Sequence, residues 1–217
     1  YNIKAIGGCG MSGKELKIGN ITVPYGIMLA PMAGISNHVF RKICREFGVG
    51  YTVSEMVSAK ALCYDQRCKK PGRAEAPKTA ELSAVYPDDY PMAVQLFGSE
   101  PEFMAKGVEI VKRFEPDIID INMGCPVPKV VGTGAGSALM KDIDLAARVC
   151  EATAKAAGET PVTVKIRSGW SLDSVNAPQM AKALENAGAA AVAVHGRTRD
   201  MFYGGNCDLG VIRAVKE

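Results

Sequence analysis

Short apolar runs alternate along the chain with segments of helical periodicity. The runs are rich in β-branched residues and end at glycine, proline or a charged residue, which is typical of strands that alternate with helices in a parallel sheet. Several runs are apolar at consecutive positions, as expected where both faces of a sheet are covered. The pattern predicts six strands, at residues 27–31, 51–56, 92–98, 118–124, 162–169 and 190–198.

Helices are predicted between these strands, at residues 37–47, about 99–114, 142–157 and 175–187. The first helix places Phe40, Ile43 and Phe47 on one face. Ser99 and Glu102 have the spacing of a capping box and would open the second helix. The regular alternation of strand and helix therefore indicates repeated βα units.

Two architectures fit this alternation, a (β/α)₈ barrel and an open doubly wound sheet. An open dinucleotide-binding sheet would place G-x-G-x-x-G directly after the first strand, where this sequence has PMAGIS. We therefore predict an α/β fold of the TIM (β/α)₈ barrel type, with about six of the eight βα units present. The expected division is an amino-terminal extension at residues 1–15 and the barrel at 16–217, with strands seven and eight beyond the carboxyl end.

Composition and charge exclude several classes of protein. With 47% hydrophobic and 23% charged residues among 217, the chain has the composition of one globular domain. No apolar run reaches the roughly 18 residues of a membrane span, and no secretory signal is recognisable, so we predict a cytoplasmic protein without membrane contact. The seven cysteines are scattered and form no C-x-x-C pair, which disfavours disulfides and a metal site. A net charge of +3 leaves a nucleic-acid partner open.

Polar side chains interrupt the apolar runs near the carboxyl ends of the predicted strands. In a parallel barrel these ends converge on one mouth, which is where barrel enzymes carry their active sites. Burying an amide or an ammonium group without a partner is costly, so we expect a polar ligand at this mouth. The candidate residues are Ser54, Glu55, Gln95, Asn122, Cys125, Lys165, Arg167, His195 and Arg197.

The segment IDINMGCPVPKVVGTGAGSALM resembles the signature of tRNA-dihydrouridine synthases, and it is most similar to the bacterial B-type branch. Further matching stretches, in order, are LAPMAGISNHVFRKIC, VSEMVSAKAL, MAVQLFGSEPEFMAKG, VTVKIRSGW and VAVHGRTRDMFYGG. The resemblance implies an FMN-binding barrel that reduces uridine to 5,6-dihydrouridine in tRNA, with NADPH as reductant. It also implies a later helical domain that docks tRNA, and we expect residues 1–217 alone to be inactive without it and strands seven and eight.

The resemblance assigns roles to single residues. Cys125 would be the catalytic general acid that protonates C5 of the pyrimidine while reduced FMN delivers hydride to C6. A thiol suits this role because it is largely protonated at neutral pH and can still release its proton. The implied FMN-binding residues are Pro31, Met32, Ala33, Gln95, Lys165 and His195, and the implied substrate-binding residues are Asn122 and Arg167.

Two further segments are interpreted as substrate-facing. The glycine-rich segment at residues 132–138 lies too far behind its strand for a dinucleotide loop, so it is interpreted as a flexible lid. A basic rim for RNA phosphates is the second hypothesis. Its residues are Lys69, Lys70, Arg73, Lys78, Lys129, Arg167, Arg197 and Arg199.

Three other functions stay open at this point. The first is an FMN barrel that acts on a free pyrimidine or another small molecule, as dihydroorotate dehydrogenases do. The second is an aldolase or isomerase barrel in which Lys165 forms a Schiff base. The third is a non-catalytic RNA-binding fragment.

Overall fold

The computed structural model describes residues 15–65 and 81–217. Its strands are β1 (Leu16–Ile18), β2 (Ile21–Val23), β3 (Thr52–Val53), β4 (Val57–Ser58), β5 (Met92–Phe97), β6 (Ile118–Met123), β7 (Val162–Arg167) and β8 (Ala191–His195). Its α-helices are α1 (His38–Glu46), α2 (Ala59–Tyr64), α3 (Pro101–Val111), α4 (Pro128–Val131), α5 (Ile143–Ala157), α6 (Ala177–Asn186) and α7 (Leu209–Lys216). The predicted extension at residues 1–15 lies almost wholly outside the described residues.

The main sheet is parallel, and its strands follow one another in chain order. The order is β3–β5–β6–β7–β8, and β4 also pairs with β5. In this register Gln95 lies opposite Asp120, Asp120 lies opposite Thr163, and Asn122 lies opposite Lys165. Because side chains alternate between the faces of a strand, these polar residues share one face of the sheet.

The opposite face of the sheet carries the main apolar core. Leu96 on β5, Ile121 on β6 and Val164 on β7 belong to one buried cluster with Met104 of α3 and Val149 of α5. Each of these five side chains is fully buried. The helices therefore cover the outer face of a curved sheet, which leaves the polar residues on its inner face, as in the wall of a barrel.

The amino-terminal hairpin closes the bottom of the inner face. The strands β1 and β2 are antiparallel, and their Ile18 and Val23 side chains are buried in a second apolar cluster. That cluster also contains Tyr51, Ala93 and Ile118 from the amino-terminal ends of the sheet strands. The inner face thus has an apolar floor below its polar residues.

These features confirm the predicted fold class, an α/β fold with the curved parallel sheet of a partial (β/α)₈ barrel. The four strands β5 to β8 match the predicted positions closely. The predicted strand at residues 27–31 is reduced to one bridge between Met28 and Tyr51. The chain turns at Gly26, which has a φ of 62°, and Pro31 has no N–H for a ladder, so the strand is short at both ends. The presence of strands seven and eight stays a prediction.

The predicted position of helix α1 is confirmed, and its buried side chain lies outside the apolar face of Phe40, Ile43 and Phe47. Phe47 is 81% exposed, whereas Arg41 on another face is 3% exposed. The Arg41 guanidinium donates to both carboxylate oxygens of buried Asp89, at 3.0 and 2.6 Å. A buried ion pair with two hydrogen bonds therefore docks α1, and the apolar spacing misled because the partner lies 48 positions away.

The predicted capping box of the second helix is also absent. Helix α3 begins at Pro101, with Glu100 as a cap residue that makes no side-chain cap bond. The Ser99 hydroxyl instead donates to the backbone carbonyl of Thr133, at 2.8 Å. Ser99 therefore ties the end of β5 to the glycine-rich segment.

Within residues 15–65 and 81–217, no helix has both the length and the apolar character needed to cross a membrane.

Candidate active site at the carboxyl ends of the strands

A continuous chain of side-chain hydrogen bonds crosses the inner face of the sheet. The Thr163 hydroxyl donates to Oδ1 of Asp120 at 2.5 Å, and the Gln95 amide Nε2 donates to Oδ2 of Asp120 at 2.6 Å. The Asn122 amide Nδ2 donates to Oε1 of Gln95 at 2.9 Å. All four residues are buried. The strands β5, β6 and β7 are thus joined by polar groups that satisfy one another.

The turn that bears Cys125 is attached to this chain. Oδ1 of Asn122 accepts the backbone N–H of Cys125 at 2.9 Å and that of Gly124 at 3.2 Å. The Cys125 carbonyl accepts both the N–H and the hydroxyl of Ser137, at 3.0 and 2.9 Å. Nε of Arg167 donates to the Gly124 carbonyl at 2.8 Å. Every backbone polar group of Gly124 and Cys125 therefore has a partner, so the thiol is held on a fixed turn.

The predicted flexible lid at residues 132–138 is wrong for its second half. Ala135, Gly136 and Ser137 are buried, and Ser137 supports the Cys125 carbonyl. Gly136 has a φ of 60°, and a Cβ there would lie 2.8 Å from the Cys125 carbonyl oxygen. The glycine is needed for close packing behind the thiol-bearing turn, and the segment is a structural support for the site.

We expect Gly136→Ala to destabilise the protein by about 1–3 kcal/mol, because alanine is strained at this φ and its Cβ would collide with the turn. Urea unfolding of the full-length protein measures this loss. The matched control is Gly204→Ala, since a Cβ there makes only ordinary contact with the Met201 carbonyl. Equal stability of the two variants would contradict the expectation.

Lys165 and Asp120 carry opposite charges inside the barrel wall. Burial lowers the pKa of the Lys165 ammonium, and Asp120 acts against that effect. Burial raises the pKa of Asp120 to about 6, although Gln95, Thr163 and Lys165 all favour its ionised form. Among the described residues, the Lys165 ammonium has no hydrogen-bond or ion-pair partner. It is a largely buried cation at the mouth that can receive an anionic or electron-rich ligand.

His195 lies at the end of β8, opposite Arg167. Its pKa is lowered to about 4 by burial and by the charges of Arg167, Lys165 and Arg197. The imidazole is therefore neutral at pH 7. Nη1 of Arg197 donates to Nε2 of His195 at 3.2 Å, so Nδ1 carries the proton and can donate it in a hydrogen bond to a ligand.

Arg167 lies inside the site, away from the exposed rim on which the sequence analysis placed it. It is 2% exposed, and its Nη1 donates to the carbonyls of Thr198 and Phe202 at 2.9 and 2.7 Å. With its bond to Gly124, the guanidinium joins the Cys125 turn to the loop after β8. Arg167 is thus an internal brace, and its contact with substrate stays a prediction.

The loop with Pro31, Met32 and Ala33 is held at the mouth by two contacts. The Met32 N–H donates to the Ser36 hydroxyl at 2.9 Å, and the Gly34 N–H donates to the Glu55 carboxylate at 2.6 Å. These bonds fix the backbone of the loop next to the end of β3. The loop is therefore in place to form one wall of a ligand site.

Two cations lie over one indole ring on the rim of the mouth. The Lys141 ammonium is 4.6 Å from the centre of the Trp170 ring, and the Arg199 guanidinium is 4.5 Å from it. Neither cation forms an ion pair with any of the residues that the structure describes. Four other residues of the predicted basic rim, Lys69, Lys70, Arg73 and Lys78, lie outside the described residues.

The sequence analysis named most residues of this site and missed those that support them. Gln95, Asn122, Cys125, Lys165 and His195 come together at one end of the sheet, as expected. Asp120, Thr163 and Ser137 were missed, and the available signal for Asp120 was a charged residue inside the strand-like run IIDINM. Within the described ranges, no group of three or more His, Cys, Asp or Glu side chains could hold a metal ion.

Comparison with known proteins places this site in a family. Residues 28–217 match the family model described as dihydrouridine synthase. The chain belongs to the dihydrouridine synthase family. That match includes every predicted site residue from Pro31 to His195.

Curated relatives in this family are similar over most of the chain. A probable tRNA-dihydrouridine synthase of Rickettsia conorii is 45% identical over 203 residues, which are 93% of this chain and 58% of the relative. The tRNA-dihydrouridine synthase B of Pseudomonas aeruginosa is 39% identical over 203 residues, again 93% of this chain and 58% of the relative. The chain therefore spans somewhat more than half the length of these relatives. The resemblance to the synthase family, including its B-type branch, is confirmed.

Solved structures support the fold. A morphinone reductase in complex with tetrahydroNAD superposes with a TM-score of 0.56 at 13% identity, over 94% of this chain and 76% of that one. A phosphonopyruvate hydrolase complexed with oxalate and Mg²⁺ gives a TM-score of 0.53 at 14% identity, over 88% of this chain and 63% of that one. At such low identity the likeness concerns the barrel architecture alone.

Proposed function

We propose that the full-length protein to which this chain belongs is an FMN-dependent oxidoreductase that reduces uridine to 5,6-dihydrouridine in tRNA. The observation that carries the proposal is that Asn122 connects the turn bearing Cys125 with the strand position of Lys165. Asn122, which holds the Cys125 turn, is the direct neighbour of Lys165 across β6 and β7. The Cys125 thiol and the largely buried Lys165 ammonium would then supply the proton donor and the cation for the reduction of a pyrimidine ring.

The residues at the mouth fit a flavin. The Lys165 ammonium has no partner in residues 15–65 and 81–217, and it would suit the electron-rich N1/O2 edge of an isoalloxazine ring. Gln95 keeps a second amide N–H for the polar edge of that ring, and the Pro31–Ala33 loop offers a wall beside it. The neutral His195 can donate one hydrogen bond from Nδ1, which suits a phosphate oxygen. Reduced FMN, formed at the expense of NADPH, would supply the hydride to C6 of the pyrimidine.

Cys125 would then supply the proton to C5. The fixed turn keeps the thiol in place, so that little reorganisation is needed when the base arrives. Among the described residues, one N–H of the Asn122 amide has no partner beyond a long contact with the Met56 sulfur, at 3.7 Å. That N–H would bind a carbonyl oxygen of the uracil ring and orient C5 toward the thiol.

A uridine inside folded tRNA has to leave its stack to reach this mouth. Extrusion of a base costs a few kcal/mol, which contacts to the RNA backbone have to offset. Lys141 and Arg199, which Trp170 holds on the rim, are unneutralised by carboxylates in the part of the chain that the structure describes. They are the rim residues best placed to bind phosphates. We also propose that the protein is cytoplasmic and that it acts without membrane contact and without a metal ion.

The experiment that tests this function uses the full-length protein and unmodified tRNA. We expect the purified protein to release FMN on denaturation and to convert tRNA uridine to dihydrouridine in an NADPH-dependent way, measured by nucleoside mass spectrometry. Free uracil, uridine and orotate serve as control substrates. Faster reduction of a free pyrimidine than of tRNA would contradict the proposal and favour a small-molecule oxidoreductase. A borohydride-trapped adduct at Lys165, or tRNA binding without reduction, would contradict it equally.

A further inference from the structure

Asp120 is the innermost member of the hydrogen-bond chain on the barrel wall. It is 5% exposed, and each of its carboxylate oxygens accepts one bond, from Thr163 at 2.5 Å and from Gln95 at 2.6 Å. Asp120 is therefore an acceptor on both sides.

Because Asp120 can only accept, it fixes which atom donates and which accepts in each hydrogen bond from Asp120 to Cys125. An ionised carboxylate cannot donate, so Gln95 has to turn its NH₂ group toward Asp120 and its Oε1 toward Asn122. Asn122 then has to turn its NH₂ group toward Gln95 and its Oδ1 toward the N–H of Cys125. Rotating either amide by half a turn would set two donors or two acceptors against each other. The orientation of both amides thus follows from one buried charge.

We propose that Asp120 is a positioning residue, whose carboxylate orients the Gln95 and Asn122 amides and through them holds the Cys125 turn. An effect of Asp120 on catalysis rests on the proposed function, because it depends on the role of Cys125. The effect of Asp120 on the Cys125 turn rests on the hydrogen bonds alone.

Charged and polar neighbours keep Asp120 in its accepting state. Burial raises the pKa of Asp120 to about 6, while the bonds from Gln95 and Thr163 and the charge of Lys165 on β7 favour its ionised form. The buried Tyr51, just before β3, is a further electrostatic neighbour. At pH 7.5 the carboxylate is ionised, so each hydrogen bond has the donor and acceptor described above. Measurements on these hydrogen bonds are therefore best made at pH 7.5.

The test compares three variants of the full-length protein. Asp120→Leu keeps the size of the side chain and removes the acceptor. Asp120→Asn keeps an oxygen for Gln95 and can donate its NH₂ to the Thr163 hydroxyl, so it is the rescuing variant. Thr163→Val is the matched control, because it removes only the bond on the side of Asp120 that faces away from Gln95.

The readout is hydrogen exchange of the Cys125 backbone N–H, followed by NMR, with amides in α5 as an internal reference. We expect Asp120→Leu to speed this exchange by about tenfold or more, because the Asn122 acceptor is no longer held in place. Asp120→Asn and Thr163→Val should stay within about threefold of the parent protein. If Asp120→Leu does not fold, Gln95→Met interrupts the same chain and should speed exchange to a similar extent.

Two outcomes would overturn the proposal. One is unchanged Cys125 exchange in a folded Asp120→Leu or Gln95→Met protein, and the other is equally fast exchange in the leucine and asparagine variants. Single-turnover reduction of tRNA uridine by the same variants tests whether the position of the turn affects catalysis. A variant with fast Cys125 exchange and an unchanged rate of reduction would also overturn the positioning role. If the parent protein reduces no tRNA, the proposed function fails, and the exchange comparison still decides whether Asp120 orients the turn.

Discussion

Replacing Cys125 with alanine in the full-length protein should lower the rate of uridine reduction by about 10²- to 10⁴-fold, the usual contribution of a general acid. Alanine keeps the turn, because the hydrogen bonds of Gly124 and Cys125 to Asn122 and Ser137 are made by the backbone. FMN affinity should therefore change by less than about threefold. Single-turnover kinetics with unmodified tRNA measure the first effect, and titration with FMN measures the second.

The matched control is Cys44→Ala on helix α1, outside the barrel mouth. It removes a thiol without touching the turn and should leave both quantities unchanged. Cys125→Ser provides a second comparison, because a hydroxyl is a much weaker acid and should rescue little of the activity. A Cys125→Ala protein that reduces tRNA at a rate similar to the parent protein would contradict the assignment of the proton donor.

Lys165→Met should weaken FMN binding by about 10- to 100-fold, as expected for the loss of one hydrogen bond from a charged donor. Methionine has a similar length and no charge, so the packing of β7 is retained. Because burial lowers the pKa of Lys165, the folded protein disfavours the charged ammonium, and its removal relieves that cost. The thermal midpoint of the FMN-free protein should therefore stay the same or rise.

Flavin fluorescence titration measures the affinity, and Lys182→Met is the control. Lys182 is an exposed lysine on α6 that pairs with Glu185 at 2.8 Å. Its loss should leave FMN affinity unchanged. Unweakened FMN binding by Lys165→Met would exclude a contact between this ammonium and the flavin. A fall in the thermal midpoint together with weaker binding would instead point to a structural role for the lysine.

Strands β5 to β7 could be predicted from the sequence to within two residues at each end, and β8 to within three. The side chains of these strands that face the helices are apolar, so each run is recognisable in the sequence. The first strand could not be predicted in this way, because Gly26 and Pro31 limit its pairing to one bridge. The buried face of α1 was missed because it depends on Asp89, a partner that is remote in the sequence.

The same distinction applies to the site. Side chains such as Gln95, Asn122 and Lys165 could be named, because each interrupts an apolar run at the end of a strand. The hydrogen bonds among them could not, because they depend on the register between neighbouring strands. Asp120 was therefore treated as part of a buried run, although it accepts hydrogen bonds from residues on both flanking strands. The sequence pattern identifies which residues inside the barrel are polar, and the register between neighbouring strands decides which hydrogen bonds they form.

The brace formed by Arg167 makes two distant parts of the mouth mechanically dependent. Its guanidinium holds the carbonyl of Gly124 on one side and those of Thr198 and Phe202 on the other. Any shift of the loop after β8, whether caused by an incoming nucleic acid or by a substitution there, is transmitted to the backbone next to the thiol. The positions of the rim loop and of the Cys125 backbone are thereby coupled through a single side chain.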